Sequence, residues 1–192
     1  MRIVGGMLSG RRFAGPRGDK TRPTSDRVRE ALGSALDARG ALEDAAVLDL
    51  WAGTGALAFE ALSRGAASAV LVEQDRAVGD AILRSAKELG LADRVRLVRA
   101  DLERPVAGWA GGIGPFDLVF CDAPYARTVR VPEVLGELLS GGAIAVDAYV
   151  VLEHASTDRP QLPEGLTELK TYRYGATSVL LGERTEEKGE RE

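Results

Sequence analysis

The chain has 192 residues, of which 45% are hydrophobic, and its formal net charge is −4. These values are typical of one globular domain, and no apolar run approaches the roughly 20 residues that a membrane-spanning helix needs. With one cysteine and one histidine, the chain is expected to form no internal disulfide and no zinc site of its own. The start of the chain lacks the apolar core of a signal peptide, so we expect a cytoplasmic protein.

Charge is distributed unevenly along the chain. Residues 1–30 contain eight basic and three acidic side chains, whereas the remaining residues contain 17 basic and 26 acidic ones. A basic segment on an acidic body favours a local contact with a polyanion such as nucleic acid. The alternative is a segment whose charges serve only to keep it in solution.

The first 36 residues predict a small hairpin, a loop and a helix. Two extended segments, Arg2–Val4 and Arg11–Phe13, are separated by glycines and predict a β-hairpin. Residues 15–23 predict a loop, and Thr24 is a suitable helix N-cap. The apolar face of the helix that follows repeats at helical spacing through Val28, Ala31, Leu32, Ala35 and Leu36. Arg27 and Arg29 are expected to lie off this face.

From residue 45 onward, short apolar runs alternate with amphipathic segments, which predicts β–α–β units. The predicted strands are Val47–Leu50, Ala69–Val72, Val95–Val98, Phe116–Cys121 and Ala148–Glu153. The predicted helices are Ala56–Arg64, Arg76–Leu89 and Glu133–Leu139. Residues 104–115 predict a short helix or an irregular crossover, and a closing antiparallel hairpin is predicted from Thr167–Tyr174 and Ser178–Leu181. Crossovers of this kind imply a mostly parallel sheet, whose ligands bind at the carboxyl ends of the strands.

A glycine turn joins the first of these strands to a helix. The sequence from Gly53 to Ala58 fits the dinucleotide pattern G-x-G-x-x-A and leaves NAD(P), FAD and S-adenosylmethionine open. Asp49 favours S-adenosylmethionine, because a carboxylate repels a pyrophosphate and attracts an ammonium group, directly or through water. The tetrapeptide Asp122-Ala123-Pro124-Tyr125 after the fourth strand also favours it, since hydride transfer has no evident use for such a turn.

Acidic residues stand at four predicted strand ends: Asp49, Glu73, Asp101 and Asp122. Glu73 lies about 20 residues beyond the glycines, where a carboxylate can accept both hydroxyls of a ribose. Asp101 can accept a hydrogen bond from an adenine amino group. For Asp101 a helix cap or a solvated loop acid remains an equal alternative.

Together, these motifs resemble those of the class I S-adenosylmethionine-dependent methyltransferases. Within that class, the N-terminal segments Arg2–Gly6, Gly10–Arg12 and Thr21–Leu32 resemble the RsmD family, and the resemblance extends from residue 2 to about residue 182. It implies a Rossmann-like α/β fold: a mostly parallel seven-stranded sheet with helices on both faces and a small N-terminal β-hairpin arm. It also implies methyl transfer from S-adenosylmethionine to the N2 amine of a guanine in 16S rRNA, guanine 966. The expected enzyme is a monomer that acts on the small ribosomal subunit or an assembly intermediate, without a metal or a membrane.

The chain departs from the family pattern at two positions. The family tetrapeptide is usually Asp-Pro-Pro-Tyr or Asp-Pro-Pro-Phe, and here Ala123 replaces the first proline. The carbonyl at this position is retained, so we expect the chemistry to be kept on a less rigid loop, because alanine does not fix φ. Trp51 stands where a smaller aromatic residue or cysteine is common, and is expected to pack while contacting the cofactor only through its backbone.

The resemblance assigns roles to three groups of residues. The Asp122 carboxylate and Ala123 carbonyl are expected to accept the hydrogens of the target amine and turn its lone pair toward the methyl group, while Pro124 shapes the turn and Tyr125 stacks on the base. The expected cofactor contacts are Asp49, Ala52, Gly53, Thr54, Gly55, Glu73, Gln74, Asp101 and Leu102. The expected phosphate contacts are Arg11, Arg12, Arg22, Arg27 and Arg29. The segment Arg22–Thr24 is left open between RNA and the cofactor.

The expected organisation is a basic hairpin arm for RNA contact at residues 1–23, a methyltransferase domain at 24–182 and a disordered charged tail at 183–192. Cys121 is expected to be a core residue, and His154 to lie at the surface or behind the site. Three alternative functions remain open: an amino-methyltransferase acting on adenine N6 or a protein glutamine, an NAD(P)-dependent oxidoreductase, and a ribosome-assembly protein without catalysis.

Overall fold

The structure, a computed structural model, describes residues 1–14 and 25–185. Its strands are β1 (Ala46–Leu50), β2 (Ser68–Val72), β3 (Val95–Val98), β4 (Phe116–Cys121), β5 (Ile144–Ala155), β6 (Leu166–Tyr174) and β7 (Thr177–Arg184). Its α-helices are α1 (Asp26–Asp37), α2 (Ala56–Ser63), α3 (Arg76–Leu89) and α4 (Val131–Ser140). Short 3-10 turns cover Ala92–Arg94, Val106–Gly108 and Tyr125–Arg130.

The strands form one seven-stranded sheet in the order β3-β2-β1-β4-β5-β7-β6. Every neighbouring pair is parallel except those that involve β7, which runs antiparallel to β5 and β6. The predicted mostly parallel sheet is therefore confirmed. The chain moves outward from β1 to β2 and β3, and then returns to place β4 on the other side of β1. In a sheet wound this way, ligands bind at the carboxyl ends of the strands on either side of the reversal.

Helices cover both faces of the sheet, as predicted. Residues of α1, α2 and α3 pack in one apolar cluster, and residues of α4 pack in a second cluster on the opposite face. Alternate residues of a strand point to opposite faces, so Val47 of β1 belongs to the first cluster and Leu48 to the second. None of the described helices is long and apolar enough to cross a membrane.

Residues 1–14 form the predicted hairpin, with an antiparallel bridge between Arg2 and Arg12. The Ile3 N–H donates to the Arg11 carbonyl at 2.9 Å, and Ile3 and Phe13 are buried in the first cluster. The hairpin packs against α2, where the Val4 N–H donates to Glu60 Oε2 at 2.9 Å and the Leu8 N–H to Ser63 Oγ at 2.9 Å. Since two of its side chains complete the core, the hairpin is part of the folded body.

Several predicted boundaries shift. The N-cap of α1 is Ser25, whose hydroxyl accepts from the Val28 N–H, and the predicted cap Thr24 lies outside the described residues. Strand β5 begins at Ile144, because its pairing with β4 continues past an irregularity in register, near Asp147 with its φ of +62°. Glu183 and Arg184, predicted as the start of a disordered tail, are instead the last residues of β7. Residues 186–192 lie outside the described residues.

Candidate active site

The glycine turn between β1 and α2 lies at the carboxyl edge of the sheet. Its backbone is left-handed at Trp51, Gly53 and Gly55, with φ values of +55°, +53° and +74°. A side chain at Gly55 would place its Cβ 2.9 Å from Leu71 Cδ2, so this position needs glycine for both its φ and its contacts. The Ala52 N–H is used within the fold, since it donates to the Val72 carbonyl at 3.0 Å. Thr54 is half-buried on the same turn.

Asp49 lies beneath this turn and is 1% exposed. Its Oδ2 accepts a hydrogen bond from the Ala58 N–H at 3.2 Å, which ties the first turn of α2 to β1. Burial raises the pKa of Asp49 well above its usual range; the Ala58 N–H opposes this shift, and the negative charges of Asp122 and Glu73 add to it. The buried position favours attraction of a ligand cation through water over direct contact.

Glu73, directly after β2, braces the glycine turn from the other side. Its Oε2 accepts from the Gly53 N–H at 3.1 Å, and its Oε1 accepts from the Asp75 N–H at 2.7 Å. A carboxylate has about four acceptor positions, so these two bonds leave capacity for ribose hydroxyls. Glu73 therefore fits its predicted role and also holds the turn in place.

Beyond Glu73, three polar side chains meet above the ends of β2 and β3. With its amide oriented to satisfy both neighbours, Gln74 donates to Asp101 Oδ1 at 3.2 Å and accepts from Arg127 Nη1 at 2.8 Å. Arg127 Nη1 lies 4.0 Å from Asp101 Oδ1, and its Nε lies 3.7 Å from Glu103 Oε1. Sequence reasoning missed Arg127, although a cation two residues after Tyr125 was a visible signal.

Arg130 also connects the loop after β4 to the loop after β3. Its Nε donates to the Leu102 carbonyl at 3.2 Å, and its other nitrogens donate to Glu133 at 2.5 Å and Glu137 at 2.6 Å. The Leu102 side chain is 3% exposed and packs in the core, so its predicted cofactor contact would have to come from its backbone N–H. Together, Arg127 and Arg130 hold the loop after β4 against the loop after β3.

The tetrapeptide that follows β4 forms a turn at the same edge. Asp122 is half-buried, Ala123 is 2% exposed, and Pro124 is exposed with its carbonyl accepting from the Arg127 N–H at 2.7 Å. Tyr125 begins the 3-10 turn that leads into α4. Glu153 of β5 lines one small cavity together with Asp122. Sequence reasoning gave Glu153 no role, although it is a further acid at a strand end.

Two residues near the site belong to the fold. Cys121 is 1% exposed, and burial raises the pKa of its thiol, with the negative charges of Asp49 and Asp122 adding to the shift. It is therefore the predicted core residue. His154 is 5% exposed, and its Nδ1 lies 2.6 Å from the Asp158 carbonyl and 2.8 Å from that of Ala155. Of the two positions expected for His154, the surface is wrong, because the side chain turns inward at the end of β5, and a position behind the site stays a prediction.

The structure does not bring the predicted RNA-contact arginines together. Arg11 donates to the carbonyls of Glu88 at 2.6 Å and Leu89 at 3.2 Å, in the last turn of α3. That end of α3 lies at the amino edge of the sheet, opposite the glycine turn. Arg12 is exposed on the hairpin, and Arg27 is exposed at the start of α1. Arg22, with Pro23 and Thr24, lies outside the described residues.

Arg29 is buried at the start of α1. The expectation that it lies off the apolar face is wrong, since its side chain is 1% exposed. Its Nη2 donates to the Arg2 carbonyl at 2.8 Å and to Asp26 Oδ1 at 2.7 Å. These bonds join the hairpin to α1, so Arg29 stabilises the fold and is not available to a phosphate.

The chain matches one family model along nearly its whole length. The model of the family described as Conserved hypothetical protein 95 matches residues 1–183. The chain belongs to this family, the RsmD family of methyltransferases. This RsmD-family chain is 37% identical over 153 residues to the ribosomal RNA small subunit methyltransferase D of Escherichia coli, covering 80% of this chain and 74% of the relative.

Solved structures agree with this assignment. The E. coli protein yhhF is 32% identical and superposes with a TM-score of 0.81, covering 96% of this chain and 98% of that one. An RNA methyltransferase from Salinibacter ruber, solved with S-adenosyl-L-homocysteine, is 18% identical and superposes with a TM-score of 0.63. That alignment covers 88% of this chain and 98% of the Salinibacter chain, and it shows the fold alone. The RsmD-family chain therefore has the predicted Rossmann-like methyltransferase fold.

Proposed function

We propose that this RsmD-family protein transfers a methyl group from S-adenosylmethionine to the N2 amine of a guanine in 16S rRNA, guanine 966. The observation that carries the proposal is the set of acids at the carboxyl edge of the sheet. Val72 of β2 and Cys121 of β4 both lie opposite Leu50 of β1, so Glu73 and Asp122 follow on either side of the end of the strand that holds Asp49. Their negative charges add to the raised pKa of Asp49. A site with this field favours a cationic ligand and disfavours the pyrophosphate of NAD(P).

The side chains at the edge fit the hydrogen-bonding groups of S-adenosylmethionine. The ribose hydroxyls, the adenine amine and the ammonium group are all donors, and Glu73, Asp101 and Asp49 are all acceptors. Glu73 would hold the ribose, Asp101 the adenine amine, and Asp49 would attract the ammonium from beneath the turn. When bound, the cofactor supplies a methyl group on a positively charged sulfur, which an amine nitrogen can attack.

The Asp122–Tyr125 turn would position the target amine. The N2 lone pair of guanine is delocalised into the ring, so transfer requires that it be turned toward the methyl carbon. Asp122 and the Ala123 carbonyl would accept the two N2 hydrogens and hold this orientation, and positioning supplies much of the rate of such a reaction. Transfer would form the nitrogen–carbon bond as the carbon–sulfur bond of the cofactor breaks, and Asp122 or water would take the extra proton from N2.

Glu153 supports guanine as the base. In the pairing of β4 with β5, Cys121 lies opposite Leu152, so Asp122 and Glu153 are the next residues on the two strands. They line one small cavity with Val28 and Leu32 of α1. Guanine presents two donors, N1–H and N2–H, on one edge, whereas adenine has an acceptor at N1. A second carboxylate beside Asp122 therefore favours guanine over adenine.

The proposal also covers the RNA substrate, the oligomeric state and the division of the chain into functional parts. The E. coli relative is named for the small-subunit rRNA, which supports a small ribosomal subunit or an assembly intermediate in the cytoplasm as the substrate. We propose that the protein acts as a monomer without a metal, and that residues 1–23 and 24–182 contribute RNA contact and catalysis respectively. Within the described residues, no group of three or more His, Cys, Asp or Glu is placed to hold a metal ion.

The test uses small ribosomal subunits that lack the modification. Incubation with labelled S-adenosylmethionine, followed by nucleoside analysis and mapping, should place N2-methylguanine at one position. Asp122→Asn should lower the transfer rate on the order of 100-fold or more while leaving the fold intact. Asp117→Asn is the matched control, because Asp117 lies at the other end of β4 and accepts from the Ala46 N–H. Labelled adenine, labelled protein, or full activity of Asp122→Asn would contradict the proposal.

A further inference from the structure

A strip of aromatic and basic side chains lies beside the candidate active site, and we call it the hairpin strip: Lys170, Tyr172, Tyr174 and Arg27. Lys170 Nζ lies 5.0 Å from the centre of the Tyr172 ring. The two tyrosines are half-buried and pack against the apolar cluster under α1 to α3. Val28, the residue after Arg27, lines one small cavity with Val179, which pairs with Tyr172, so the start of α1 lies beside the strip. Burial and the neighbouring Tyr172 raise the pKa of Tyr174, and the positive charge of Arg27 lowers it.

The strip lies at the catalytic edge of the sheet. Tyr174 pairs with Thr177 at the tip of the β6–β7 hairpin, and Thr177 pairs in turn with Ala155 at the end of β5. The tip is therefore at the edge where Asp122 follows β4. Three strand spacings separate β4 from β6, which puts the strip about 14 Å from the tetrapeptide. By contrast, Arg11 is bound at the opposite edge.

The chemistry of the strip matches single-stranded RNA. The strip contains two cations, Lys170 and Arg27, and no acid, although the chain as a whole carries a net charge of −4. Tyrosine rings offer stacking platforms for unpaired bases, and the flanking cations can contact phosphates. Strand β6 is also the last strand of the sheet, so no further strand lies beyond it within the described residues.

We propose that the hairpin strip binds a single-stranded rRNA segment next to the target nucleotide, with bases on Tyr172 and Tyr174 and phosphates at Lys170 and Arg27. The proposal rests on the proposed function, which supplies the RNA. It extends the RNA contact from Arg27 to the β6–β7 hairpin. A target base must leave its stack to reach the Asp122 turn. A strip that binds the adjacent nucleotides would keep the target base at that turn.

The test compares substitutions in the two edge strands. Binding to a labelled 16S rRNA transcript is measured across a series of salt concentrations for Lys170→Gln and for Arg96→Gln, an exposed position in β3. Lys170→Gln should lower the slope of log affinity against log salt by about 0.7, as expected for one lost phosphate contact on single-stranded RNA, and Arg96→Gln should not. Tyr172→Leu should weaken binding about tenfold, while Tyr172→Phe keeps the ring and the affinity.

Two further measurements distinguish a damaged fold or cofactor site from a failure of the proposed RNA contact. S-adenosylhomocysteine affinity should match the wild type in all four variants, which shows that the cofactor site is intact. Thermal unfolding should match it in all but Tyr172→Leu, because that variant loses packing against the apolar cluster that Tyr172→Phe keeps. Wild-type methylation of small subunits together with unaltered transcript binding by the strip variants would overturn this inference and leave the proposed function standing. Loss of subunit binding without loss of transcript binding would also overturn it, since a ribosomal protein would then be the partner. A wild type that neither binds the transcript nor methylates subunits would overturn both proposals.

Discussion

Replacing Asp49 with asparagine should have opposite effects on fold stability and on cofactor affinity. The buried carboxyl has a raised pKa, so the native state keeps its proton at pH values where the unfolded chain has lost it. The native state therefore binds more protons in this window, and the free energy of unfolding falls as the pH rises through it, by at most about 1.4 kcal/mol per pH unit. The amide of the Asp49→Asn variant would not titrate, yet its oxygen can still accept from the Ala58 N–H.

Cofactor affinity should change in the other direction. A direct hydrogen bond to a charged group contributes about 1.5–3 kcal/mol, and a bridging water costs up to about 2 kcal/mol of this. Removing the carboxylate should therefore weaken the Kd by at most roughly 150-fold. The bound cation favours the ionised form of Asp49, so the affinity of the wild type should rise with pH across the window, and that of Asp49→Asn should not. Methylthioadenosine is the matched control ligand, because it has the adenine and the ribose but lacks the ammonium.

Urea unfolding and calorimetry at several pH values check both effects. The unfolding free energies of the two proteins should diverge in favour of Asp49→Asn as the pH rises. S-adenosylhomocysteine should bind the variant more weakly, while methylthioadenosine binds both proteins alike. Parallel stability curves would refute the burial argument. Equal S-adenosylhomocysteine affinities would refute the electrostatic role of Asp49.

Two neighbouring arginines and one loop contact give the remaining predictions. Arg29→Ala should lower the free energy of unfolding by about 3 kcal/mol, because the substitution removes a buried cation that joins the hairpin to α1. Arg27→Ala changes an exposed side chain, so it should alter the free energy of unfolding by less than about 0.5 kcal/mol and weaken rRNA binding instead. Equal stability losses, measured by urea unfolding, would contradict the separate roles. Arg130→Ala should lower the free energy of unfolding by about 1–3 kcal/mol and raise the KM for S-adenosylmethionine, because the loop after β4 loses its tie to the Leu102 carbonyl. A KM equal to that of the wild type would show that this tie does not shape the cofactor site.

The N-terminal hairpin shows why point substitutions are preferable to truncation here. Ile3 and Phe13 are buried in the core, and the Phe13 ring lies 5.2 Å from that of Phe59, edge to face. Removing residues 1–14 would therefore expose α2 as well as remove arginines. A loss of RNA binding in such a protein would report on the fold and the RNA contact together, whereas Arg12→Gln changes an exposed side chain only.

The elements with strong local patterns were predicted closely. Helix α3 and strands β3 and β4 have the predicted bounds, because their apolar periodicity and the glycine after α3 are properties of short stretches of chain. The glycine turn and the acids at the strand ends were also visible, since each follows its own strand directly. When strands and helices alternate along a chain, the rules of handedness and connection allow few topologies. These rules predicted the mostly parallel sheet.

Contacts between distant parts of the chain were decided only by the tertiary structure. No local pattern distinguishes Arg29, which is buried, from Arg27, which is exposed, because the difference depends on where the hairpin packs. The same holds for Arg127, which reaches Gln74 and Asp101 across two crossovers, and for the position of Val28 in α1 beside Val179 in β7. The sequence by itself determined the fold, the glycine turn and the chemical character of the edge acids, because these depend on residues that are close in the chain. Folding decided which cations stabilise the protein and which remain exposed at the catalytic edge, because burial depends on the neighbours that folding brings together.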